Sequence, residues 1–95
     1  MDMTKAHLVT AENMMEIISP ANGTDFTLEE LQKFVDGWIE IIHINKDVIM
    51  VVNEEGRYCK SPNGMATVIT IGHEIIPSGD NIYGDVVICP SPMVK

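Results

Sequence analysis

The chain has 95 residues, with six Lys and Arg against fourteen Asp and Glu, for a formal charge of -8 at neutral pH. At roughly 150 residues per domain there is room for one compact core, and 45% hydrophobic residues is too many for a disordered acidic chain. The same charge argues against direct binding to DNA or RNA, because the few basic residues are spread from Lys5 to Lys95 and form no cationic cluster.

Ile and Val supply 22 residues and Leu only three, so β-branched side chains that suit a pleated surface dominate and the bulk is expected to be sheet. The opening Met1 to Thr10 carries Asp2, Lys5 and His7 where a secretory leader needs an unbroken apolar stretch. The longest apolar runs, such as Val48 to Val52, fall far short of the ~18 residues of a membrane span. A cytoplasmic protein that does not engage membranes is the expectation. Ala6 to Val9 and Met14 to Ser19 read as a hairpin about Ala11 to Asn13, followed by the loop Pro20 to Asp25 with its Asn22 and Gly23.

The clearest local signal is a helix start. Thr27 with Glu30 three residues later is a capping box, and Phe26 ahead of the cap can pack on Leu31 as a hydrophobic staple. The helix is predicted over Leu28 to Asp36, with Leu28, Leu31, Phe34 and Val35 on one face and Gly37 as its left-handed stop. From Trp38 to Ile44 the period changes to two, which predicts a strand covered on both faces. Asn45 to Asp47 connects it to a second strand, Val48 to Val52, as an antiparallel hairpin, and Asn53 to Gly56 forms a turn.

Met65 to Ile76 is ambiguous. Thr67 to Ile71 favours strand by propensity, whereas Asn63 could cap a short helix that Gly72 closes. Ile76 to Gly84, with Pro77, Gly79 and Gly84, reads as loop. Asp85 to Cys89 is a last strand, ended by Pro90 and Pro92. Together these predict a single α+β domain over 1–95. Its sheet is mixed or antiparallel, of about five strands, with the Leu28 to Asp36 helix on one face, a second short helix, and loose ends at 1–4 and 90–95.

Several pieces in order carry a resemblance: Asn22 to Gln32 (NGTDFTLEELQ), Phe34 to Glu40 (FVDGWIE), Val51 to Gly56 (VVNEEG), Pro62 and Asn63 ahead of Ala66 and Thr67, and Gly84 to Val87 (GDVV). The chain resembles a small domain-of-unknown-function family borne by phages, prophages and conjugative elements. The resemblance runs from about Lys5 to the last residues. It implies a compact α+β domain, a helix after Asn63 and a mobile-element origin, and it implies no established activity. The chain departs from the family pattern at Asp36, where a small residue, usually Gly, is commoner, and in the β-branched content of Met65 to Ile76.

Catalysis would need a nucleophile with a base in reach, drawn from Cys59, Cys89, His7, His43 and His73, and no spacing pairs them. Cys89 reads as a core thiol and His43 as a half-buried strand residue. There is no close-spaced His/Cys set for zinc, no EF-hand loop and no glycine-rich phosphate loop. No cofactor, metal or enzymatic activity is therefore expected.

Two binding readings remain. In the first, the protein is an inhibitor or adaptor that docks on a host protein through its acidic surface, with Glu54, Glu55 and Asp85 at the rim and Trp38 or Tyr83 as aromatic anchors. In the second, it is an oligomeric sponge for a nucleotide immune signal, using helix N-termini with Asn53, Asn63 and Thr67. Met1, Met3, Met14 and Met15 are the candidates for a self-association surface in a homo-oligomer.

Overall fold

The computed structural model describes residues 4–76 and 79–94. Met1, Met3, Pro77, Lys95 and most of the 1–4 end therefore lie outside the described residues. Strands β1 (Ala6–Val9) and β2 (Met15–Ile18) form the first hairpin. Helix α1 (Leu28–Val35) follows, then strands β3 (Ile39–His43) and β4 (Val48–Asn53) as the second hairpin. A single turn of helix α2 (Gly56–Cys59), helix α3 (Gly64–Gly72), strand β5 (Val86–Pro90) and a 3-10 turn (Ser91–Met93) complete the order. The sheet is wholly antiparallel with strand order β2-β1-β5-β4-β3, so the fold is α+β, with the last strand inserted between the two hairpins.

The start of α1 is built as its residues dictate. Thr27 accepts a hydrogen bond from the Glu30 N-H, and the Glu30 carboxylate accepts from the Thr27 N-H at 2.8 Å. The Glu30 carboxylate also accepts from Ala21 N at 2.9 Å, and these backbone donors, Thr27 first, hold its pKa below the ordinary value. The helix ends one residue earlier than predicted. Asp36 takes the left-handed conformation (φ 58°) that was assigned to Gly37. Gly37 is required for a different reason: a Cβ there would sit 2.6 Å from the Asn53 side-chain nitrogen.

Each face of the sheet has its own apolar layer. On one face, α1 lays Leu31 and Val35, with Phe26, over Ala6, Ile49, Val51, Val87 and Cys89. On the other, α3 and Ile82 cover Val9, Val48, Met50, Val52, Val86 and Ile88. Full burial of one such aliphatic side chain is worth about 1.5–3 kcal/mol, so the two layers together dominate the folding free energy. Every residue of β4 is buried, whereas β3, expected to be covered on both faces, is an edge strand with Glu40, Ile41 and His43 exposed. The alternation of β3 is genuine, but its place at the end of the strand order strips it of a neighbour. His43 is correspondingly exposed, not half-buried.

Met65 to Ile71 is helical. Asn63 caps α3 through Ala66 N, and the Thr67 and Thr70 hydroxyls donate back to the Asn63 and Ala66 carbonyls at 2.7 and 3.0 Å. Those bonds satisfy hydroxyls that burial would otherwise leave bare, and Ala66, with Met65 and Ile69, joins the apolar layer on this face of the sheet. Tertiary burial thus overrides the β-propensity of the segment. The tail expected to be loose is tied down as far as Val94, which bridges to Phe26, while Phe26 N donates to Met93 O at 2.8 Å.

Candidate functional site

Where β4 runs into α2, the returning segment 79–85 comes alongside and leaves a groove of about 410 Å³ at the end of the sheet. Glu40 and Ile42 of β3, Asn53 and Glu54 at the end of β4, Arg57 of α2, and Asp80, Asn81 and Tyr83 of the return segment line it. Three carboxylates therefore face a single guanidinium. Arg57 makes no ion pair among the described residues, and its guanidinium carbon lies 6.0 Å from the centroid of the exposed Tyr58 ring. The antiparallel register explains the gathering of acids: Glu40 pairs with Val52, which puts its side chain on the same face as Val52, two residues before Glu54.

Trp38 does not line the groove but adjoins it through Glu54. Its carbonyl accepts from Glu54 N at 2.8 Å, and its side chain is 66% exposed, so it caps no core. Glu55 is exposed at the start of α2. Asp85 belongs to a neighbouring hollow of about 330 Å³ with Asp36 and Lys60, where it accepts from Ala11 N at 3.0 Å. In that hollow Lys60 donates to Asp36; the bond lowers the Asp36 pKa and raises that of Lys60. The two hollows border opposite ends of α2.

The three remaining site residues are tied into the fold. The Asn53 amide donates to Val35 O and Asp36 O, both at 3.1 Å, and accepts from Glu55 N at 2.8 Å, latching the end of α1 to the end of β4. The Asn63 amide donates to Val9 O and Gly84 O, and the Thr67 hydroxyl accepts from Ile82 N at 2.9 Å. The structure thus brings Asn53, Glu54 and Tyr83 together, places Trp38 beside them, and separates off Asp85, Asn63 and Thr67. Glu40 and Arg57 were not singled out from the sequence. Strand parity across the hairpin was the signal for Glu40; none existed for Arg57, because α2 has no capping pattern.

Burial pushes the Cys89 thiol up to about 11, and Cys89 shares the α1 face with Val87 and Val51, whereas His7 pairs with Ile88 and lies on the opposite face. His7 is buried with Nδ1 unpartnered among the described residues. Cys59 is exposed, and its thiol donates to Glu55 O. No group of three or more His, Cys, Asp or Glu suited to a metal occurs among the described residues, and no helix there is long and apolar enough to cross a membrane.

The family whose model matches the chain is described as domain of unknown function (DUF3846), with the match covering residues 4–92. No curated protein and no solved structure matches significantly.

Proposed function

We propose that this chain, which belongs to the DUF3846 family of domains of unknown function, acts by holding a partner and not by transforming a substrate. The favoured role is that of a phage or mobile-element accessory protein, working in the cytoplasm of a bacterial host as an inhibitor or adaptor of a host protein. The observation that carries this reading is the groove at the sheet end, where Glu40, Glu54 and Asp80 outnumber Arg57 beside an exposed Trp38. In a chain of net charge -8, such a surface steers a cationic partner, and an exposed aromatic next to it in the chain fold is a usual kind of anchor. The competing role, a nucleotide sponge, draws less support because the side chains of Asn53, Asn63 and Thr67 are already engaged in structural hydrogen bonds.

The test has two arms. Tagged protein is used to capture its partner from host lysate, and the identified partner is then titrated against wild type and the Glu54→Lys, Glu55→Lys double variant at low and high salt. The double variant is expected to bind more weakly, with the difference shrinking as salt screens it. Equal binding at low salt rejects the acidic surface. A thermal-shift screen with a nucleotide library covers the sponge: a gain of several degrees, with the ligand recovered unchanged, favours it over the adaptor.

A further inference from the structure

The sheet ends on β3, and nothing among the described residues pairs with its outer side. The direction of its backbone groups follows from parity. Trp38 O accepts from Glu54 N, and Ile44 N donates to Val48 O, so residues 38, 40, 42 and 44 turn their backbone polar groups toward β4. In an antiparallel pair the alternate residues point the other way. The N-H and C=O groups of Ile39, Ile41 and His43 therefore face outward, three donors and three acceptors in a row.

Proteins usually blunt such an edge with charged side chains, Lys above all, with Pro or with a bulge. The segment IEIIH has no Lys, Pro or bulge, its pairing with β4 is continuous over all five residues, and Ile41 is 39% exposed. Its single charge is negative: Glu40 points into the groove that also holds Glu54 and Asp80. The edge is thus a template for a strand whose side chains on the groove face are cationic.

We propose that the outer edge of β3 takes an extended segment of a partner protein as a sixth strand, with Lys or Arg opposite Glu40 and an apolar residue opposite Ile41. The inference rests on the acidic-surface reading and adds its mode of recognition. Backbone bonds to Ile39, Ile41 and His43 supply register, and the groove acids select the side chains. Glu40 would form a non-hydrogen-bonded cross-strand pair, the closer of the two kinds, where opposite charges attract best. A second copy of this chain suits the edge less well, because it would bring a second set of Glu40, Glu54 and Asp80 against the first.

The probe is an eight-residue peptide alternating Val and Lys, with a Val/Glu peptide as control, titrated by amide NMR into the full chain and into Ile41→Pro. That substitution removes an outward N-H and no bond to β4, so the hairpin is retained; Ile41→Lys, which guards the edge with a like charge, is the second variant. The expected result is saturable binding of the Lys peptide with shifts centred on 39–43, weakened about tenfold or more by Ile41→Pro and also by Ile41→Lys, and no binding of the Glu peptide. Shifts centred elsewhere, equal affinity of wild type and both variants, or a dimer of the free protein that Ile41→Pro abolishes would each overturn the proposal. Retention of the lysate-identified partner by Ile41→Pro, with loss in the Glu54→Lys, Glu55→Lys variant, overturns the edge alone and leaves the acidic surface standing.

Discussion

Asn63 is the residue whose removal separates a structural role from a ligand-binding one. It is wholly buried, and its amide joins three parts of the chain: the end of β1 through Val9 O (3.0 Å), the return segment through Gly84 O (2.8 Å) and the first turn of α3 through Ala66 N (3.1 Å). Asn63→Ala deletes all three bonds in a fully buried site. At about 1–1.5 kcal/mol per bond the loss is about 3–4.5 kcal/mol, a large share of the roughly 5–14 kcal/mol available to a domain of this length. Urea unfolding followed by far-ultraviolet circular dichroism measures it as a fall in the transition midpoint at unchanged slope. Asn63→Asp is the sharper control, because it keeps the acceptor for Ala66 N but turns a carboxylate toward two carbonyls. Burial favours the neutral acid there, so the folded-state pKa is raised and the variant should regain stability as pH falls through it. A cost below about 1 kcal/mol for Asn63→Ala would refute the reasoning, since no bonded amide at zero exposure is removed so cheaply. Intact stability with lost nucleotide binding would instead return Asn63 to the sponge.

Thr27→Ala should cost about 1 kcal/mol by thermal or urea unfolding, through loss of one half of the capping box. The Glu30 carboxyl has a folded-state pKa below its ordinary 4.5, so its contribution is present above that value and is lost as pH falls through the lowered one. An acid titration of stability should therefore be flatter in Glu30→Gln than in wild type, and identical acid limbs would contradict the cap geometry. Gly37→Ala should destabilise by on the order of 1–3 kcal/mol in the same assay, because the new methyl displaces the Asn53 amide from Val35 O and Asp36 O. Under native conditions a maleimide should label Cys59 alone, with Cys89 reacting only after denaturant is added; mass spectrometry of the labelled peptides reads this directly, and fast native labelling of Cys89 would contradict its burial.

Features held within a few residues of chain were legible before folding was considered. Thr27 and Glu30 meet across one helical turn, the hairpins join neighbouring runs, and Asn63 can cap only the residues just after it; each of these follows from spacing and side-chain chemistry. The net charge is likewise a property of the residue list. The rest was decided by contacts between distant segments. Propensity alone left α3 open between strand and helix; burial of Ala66, Thr67 and Thr70, with the threonine hydroxyls bonded back to the helix, settled it. Insertion of β5 between the two hairpins made β4 central and β3 an edge, although both are rich in β-branched residues. The groove has the same origin, since Glu40, Glu54 and Asp80 come from three parts of the chain. Local bonds depend on a side chain's own neighbours in sequence, whereas burial, edge exposure and the summed field of separated charges depend on which segments pack together.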